Sequence, residues 1–292
     1  QLVAPIIQFF RKLYILQWNQ IVKYFFMTAG AFAQCDYQWW QLLDGQKNLI
    51  EVNASDLPSI QPFTSLDAWL DGDPSSYSLL LWHNADNLFL FLSNLPTRRQ
   101  DYQQRFIRNS VILFSENEKE MAIIRYLTVK AIELPLEVAS VLDETLTESD
   151  ITKTSEKSWF CFNLNIWQRY VENIQIGTYK KPERDWDKLD FRIAKDTDDR
   201  RKDICSYLAK QSDFSKQPEI LVLITKYKSP DFYFEHYQKF GAVLTNLESS
   251  EDWRKKKRTL ISSVKKILTS YWLPIVILMF FASAIIQNHL HY

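Results

Sequence analysis

The chain has 292 residues, 46% of them hydrophobic and 24% charged, with 10 Trp, 14 Tyr and 19 Phe. It can therefore bury a sizeable core as one large domain or two small ones, and wholesale disorder is excluded. Its 35 basic and 35 acidic residues cancel, so overall charge does not draw it to nucleic acid.

In chain order, the first stretch is "QLVAPIIQFFRKLYILQWNQIVKYFF", rich in large apolar residues but interrupted by Arg11, Lys12 and Lys23. No uncharged run in it is long enough to span a bilayer. Residues 1–35 are expected to form a non-spanning helical segment. It either lies at a membrane interface through Phe9, Phe10, Leu13, Leu16 and Trp18 or packs on the domain. No Met opens the sequence, which leaves Met27 as an alternative initiator and residues 1–26 as an upstream extension.

Residues 36–250 are expected to form one cytosolic α/β domain, with a subdivision point near 147–157, where "TESDITKTSEKS" is polar. Its first half is β-rich. "YQWWQLLDGQKNLIEV" carries two apolar runs around Asp44-Gly45, a hairpin signature. "SLLLWHNADNLFLFLS" repeats the arrangement around a polar turn, His83 to Asn87, and "RFIRNSVILFSE" adds a further strand. From Glu116 the period changes: Met121, Ile124, Leu127 and Ala131 recur at helical spacing, Pro135 stops the helix, and "LEVASVLDETL" starts another. "SWFCFNL" reads as a strand and "DTDDRRKDICSYLAKQ" as a helix. "PEILVLITKYKSPDFYFEHYQKFGAVLTNL" reads as strand, helix and strand. Its apolar run at 219–226 suits a strand buried on both faces, Pro230 opens the helix, and Gly241 is expected to end it. The fold class is mixed α/β (α+β): an N-terminal half of hairpins and a C-terminal half containing a βαβ unit, followed by one transmembrane helix.

The densest polar constellation is "LPTRRQDYQQRFIRN", Leu95 to Asn109. Arg98, Arg99, Arg105 and Arg108 flank Asp101 and Tyr102 between two apolar strands. Guanidinium forks grip phosphate or carboxylate bidentately, so these four residues are the candidate anion site, for a nucleotide-like ligand. The competing reading pairs them with Asp101 and nearby acids on a solvated face. Four arginines are too few to read a DNA sequence, so no sequence-specific nucleic-acid partner is expected. His83 reads as a turn residue, and His236 beside Glu235 lacks the second histidine of a zinc-binding helix. Asp196, Asp198, Asp199 and Asp203 alternate with Arg200, Arg201 and Lys202, a charged helix start rather than a metal site. Cys35, Cys161 and Cys205 are far apart and read as reduced thiols. With 5 glycines and no Gly-rich phosphate loop, no cofactor or metal is assigned.

The tail is the firmest signal. Arg254, Lys255, Lys256, Lys257, Arg258, Lys265 and Lys266 make residues 251–266 a basic juxtamembrane segment, and no charge interrupts Ile267 to Ile286. Twenty helical residues at about 1.5 Å each cover the roughly 30 Å hydrocarbon core, so residues 267–287 are expected to be a transmembrane helix. Positive residues stay on the cytoplasmic side, which places the N-terminal domain in the cytoplasm, and the same cluster attracts anionic lipids. The expectation is a single-pass, tail-anchored protein whose cytosolic domain is a binding, adaptor or sensor module with a protein partner. The alternatives are a membrane-tethered enzyme acting on a phosphate-bearing substrate and a membrane-disrupting effector. The missing G-x-x-x-G spacing counts against the effector.

Overall fold

The computed structural model describes residues 22–31, 35–43, 48–58, 77–84, 86–148, 159–174, 191–210, 220–225, 230–236 and 240–255. The first strand, β1 (Lys23–Thr28), comes from the stretch whose apolar residues suggest a helix. In KYFFMT, Tyr24 and Phe26 enter one hydrophobic cluster and Phe25 the other, so both faces of the strand are buried. Bulky aromatic residues favour that pleated setting. The strands that follow are β2 (Gln38–Leu42), β3 (Leu49–Val52), β4 (Ser78–His83), β5 (Leu88–Gln100) and β6 (Phe106–Ser115). Both expected hairpins form, with β2 antiparallel to β3 and β4 antiparallel to β5. β1 lies between β2 and β6.

Two helices follow β6. In α1 (Glu118–Glu133), Glu118 and Glu120 stand in the first turn and Lys130 in the last, both favourable to the helix dipole. Pro135 opens α2 (Pro135–Thr145) at a position where its missing N–H costs nothing. A small ribbon pairs β7 (Leu146–Glu148) with β8 (Phe160–Phe162). α3 (Leu164–Glu172) starts where the Asn163 side chain accepts a hydrogen bond from the Ile166 amide. The remaining elements are β9 (Phe191–Ala194), α4 (Asp198–Lys210), β10 (Ile220–Ile224), α5 (Pro230–His236), β11 (Phe240–Leu244) and β12 (Arg254–Lys255).

Among the described residues the main sheet has ten strands in the order β12-β9-β11-β10-β4-β5-β6-β1-β2-β3. The protein is mixed α/β with a mostly antiparallel sheet. β9, β11 and β10 run parallel, and β10 meets β4 antiparallel. The β9–α4–β10 connection passes over β11, whereas β10–α5–β11 returns the other way. Right-handed crossovers in opposite directions leave their helices on opposite faces. Accordingly Ile204 and Leu208 of α4 join the core with α1, α2 and α3, while Tyr233 of α5 joins Phe25, Trp82, Phe89, Phe91 and Phe114 on the second face.

Four details depart from the sequence reading. Gly241 lies inside β11 instead of ending a helix: a Cβ there would stand 2.8 Å from the Phe191 ring and 3.2 Å from the Leu221 carbonyl. His83 is the last residue of β4, fully buried, and the turn is Asn84 to Asn87, held by the Asn84 side chain. One core contains both Leu146 and Phe160, so packing is continuous across the expected subdivision point. The domain ends at Lys255 rather than at 250. Trp253 is buried and donates to Asp203 on α4 at 2.8 Å, and the Ser250 carbonyl accepts from the Lys195 amide at 2.8 Å. Residues 256–292 form a second unit that lies outside the described residues, the expected transmembrane helix included.

Candidate functional site

β5 and β6 outrun their neighbours. The β4 pairing of β5 ends at Ser93, and the β1 pairing of β6 ends at Ser110, yet the two strands stay paired with each other to Gln100 and Phe106. A bulge at Ser93-Asn94, with Asn94 at φ 58°, sits where the ribbon leaves the sheet. At its tip Asp101 builds the turn. Its Oδ1 accepts from the amides of Gln103 at 2.8 Å and Arg105 at 2.9 Å, while Gln104 takes φ 62°. Desolvation pushes the Asp101 carboxyl up, but bonds from the Arg105 amide and guanidinium and the Gln103 amide outweigh it and hold the group below its usual range.

The four arginines of the ribbon have different fates. Arg99 points inward. Its Nη2 donates to Thr28 Oγ1 and Asn109 Oδ1, each at 2.9 Å, and its Nη1 to the Ala29 carbonyl at 3.2 Å and to Glu148 at 3.4 Å. Its Nε stands 3.5 Å from Asp143. A guanidinium has five donors: the four on Nη1 and Nη2 are directed at protein oxygens, while Nε makes an ion-pair contact with Asp143 without a hydrogen bond, so Arg99 ties β1, β5, β6, α2 and β7 together. The nearby Cys35 thiol is pushed up by burial, away from nucleophilic character.

Arg98 points outward. Its Nε meets Asp143 at 3.2 Å, but its side chain is 77% exposed. Arg105 pairs with Asp101 at 2.8 Å on the exposed tip. Arg108 gives its amide to Tyr37 Oη at 2.8 Å, and its guanidinium has no carboxylate partner among the described residues. Two of the four therefore meet at Asp143, and the other two stand apart from them. The sequence reading placed Tyr102 among these charges but missed its companions: Tyr37 and Phe106, at 61% exposure, stand with Tyr102, at 59%, on the same ribbon or bonded to it. The visible signal was the alternation of Arg with Tyr and Phe in "RRQDYQQRF".

The expected basic membrane segment is divided. Arg254 and Lys255 form β12, paired with Ile193 and Arg192, and Arg254 is bound to the buried Glu248 at 2.6 Å. These two residues belong to the sheet edge, and Lys256, Lys257, Arg258, Lys265 and Lys266 lie outside the described residues. No described helix is long and apolar enough to cross a membrane. Among the described residues no group of His, Cys, Asp and Glu could hold a metal ion. Comparison with protein-family models, with curated proteins and with solved structures gives no match.

Proposed function

We propose that this chain is a single-pass, tail-anchored membrane protein that presents its α/β domain on the cytoplasmic side as a binding module for an anionic ligand. The observation that carries the anchor is the uncharged run from Ile267 to Ile286, directly behind a basic segment. Its placement supports the reading: the packed domain ends at Lys255, and the remaining lysines and arginines start at the next residue. The anionic-ligand part is supported by the guanidinium groups of Arg98, Arg105 and Arg108 on the projecting ribbon, whereas the donors of Arg99 are directed into the protein.

The anchor is tested by truncation after Lys255, with membrane and soluble fractions compared. The truncated chain is expected in the soluble fraction, and the full chain in the membrane fraction after carbonate washing. A truncated chain that still pellets through carbonate and high salt would overturn the anchor.

A further inference from the structure

The outer face of the ribbon combines two features that a simple anion site does not need. Pro96 pairs with Arg108 and Gln100 with Phe106, so Arg98, between Pro96 and Gln100, falls in the same band as the Phe106 ring. Tyr102 stands at the tip, and Tyr37 is held beside Arg108 by its hydroxyl. Three large rings thus stand exposed among three guanidiniums. Exposed Tyr and Phe give up apolar contact with the core, and here they cluster on one projecting element. Leu95 to Asn109 carries four Arg and one Asp, a local surplus of three positive charges in a chain of zero net charge.

We infer that this face is a docking surface for single-stranded nucleic acid, bound without sequence preference. Tyr37, Tyr102 and Phe106 stack on bases, and Arg98, Arg105 and Arg108 face the phosphates. The inference rests on the anionic-ligand reading above and names the ligand class. Bases offer flat faces to exposed rings whatever their identity, and phosphates alternate with them along a strand as guanidiniums alternate with rings here. An anionic bilayer fits less well, because polybasic lipid sites gather about four to eight cations. This ribbon offers three outward ones, with Asp101 and Asp143 close by.

The test uses the full chain in neutral-detergent micelles and a fluorescein-labelled 12-residue oligouridylate, followed by anisotropy. Binding is expected to weaken with salt, with a log–log slope of about −1.4 to −2.1 for two or three phosphates neutralised. Tyr102→Ala and Phe106→Ala should each weaken it roughly tenfold, while both variants keep the wild-type melting temperature because the rings are exposed. If tripolyphosphate or polyglutamate binds and the oligonucleotide gains nothing from the rings, the nucleic-acid inference falls and the anionic-ligand reading stands. If phosphatidylserine micelles bind in a ring-dependent way and the oligonucleotide does not bind, the surface is a lipid site and the inference falls. If none of these binds, both readings fall.

Discussion

Arg99 donates to β1, β6, the loop after β1 and Glu148 of β7, with Asp143 of α2 facing its Nε, so removing it deletes four hydrogen bonds that join these elements. Asp143 is almost fully buried, and without Arg99 its charge is balanced, among the described residues, only by the largely solvated Arg98, which is costly. Arg99→Ala is expected to lose about 3 kcal/mol in denaturant unfolding. Arg99→Lys should rescue little, since an ammonium cannot span the fork that reaches Thr28 and Asn109 together. Arg98→Ala should cost under about 1 kcal/mol, because that side chain is mostly solvated. A smaller loss for Arg99 than for Arg98 would dismiss the hub. Two further buried groups set the pH response. Burial pushes the Glu120 carboxyl up to about 7, against the Ser115 hydroxyl bond that lowers it. As pH rises from about 4.5 to 7, the unfolded chain ionises this residue before the folded chain does, so stability falls. Burial pulls the His83 imidazole down to about 4, against Asp86. As pH drops from about 6.5 to 4, the unfolded chain takes up a proton that the folded chain refuses, so stability falls in that direction too. The two effects oppose each other between about 4.5 and 6.5. In Glu120→Gln the loss toward pH 7 should vanish and the acid loss attributed to His83 should remain, as denaturant titrations from pH 4 to 8 would read out. A variant with the wild-type profile would rule out Glu120 as the source.

Among the elements, β11 depends on an absent side chain. The Phe191 ring of β9 occupies the place where a Cβ on residue 241 would stand, and Phe191 itself is buried. Gly241→Ala is expected to destabilise by about 1–3 kcal/mol through overpacking, and Gly241→Ala with Phe191→Leu should recover part of the loss. Equal stability of the wild type and the single variant would mean that the ring yields freely. β1 shows a different dependence. Phe26 packs on Phe162 with ring centroids 4.8 Å apart and is fully buried. Phe26→Ala should therefore cost about 3–5 kcal/mol. That test also separates a strand within the core from a surface-lying segment, in which the same change would cost almost nothing. The β5–β6 ribbon is the counterpart of these elements, since its outer residues Tyr102 and Phe106 are exposed and add little stability.

For the whole molecule, the position of the domain boundary decides where the proposed anchor is to be cut away. A chain ending at Ser250 lacks Trp253, which fills the core and bonds Asp203, and Arg254, which neutralises the buried Glu248. A chain ending at Lys255 keeps both. Truncation after Lys255 is expected to leave the melting temperature of the domain unchanged, whereas truncation after Ser250 should lower it by several degrees, as scanning calorimetry would show. Equal melting temperatures would mean that β12 adds nothing to the domain. Orientation is a separate matter. If the positive flank governs insertion, protease added outside intact cells should spare the domain, and digestion without permeabilisation would reverse the proposed topology.

The sequence by itself determined the hairpins of β2–β3 and β4–β5, the two helices divided at Pro135 and the parallel β10–β11 pair around α5. Each is written in local periodicity and turn chemistry, which need no knowledge of the rest of the chain. It also held the anchor signal, because length and absence of charge suffice for that expectation. Tertiary structure decided what depends on a distant neighbour. β1 is a strand because β2 and β6 pair with both its edges and the two hydrophobic clusters bury both its faces, although its run of large apolar residues suits a helix equally well. Gly241 lies within a strand because Phe191, fifty positions away, needs the space. The arginines look alike in "RRQDYQQRFIR", and both Arg98 and Arg99 reach Asp143, but Arg99 turns inward to Glu148, Thr28 and Asn109 while the Arg98 side chain stays largely solvated. Which charges are available to a partner depends on where Asp143 and Glu148 come to lie, and only the packing of α2 and β7 against the sheet places them there.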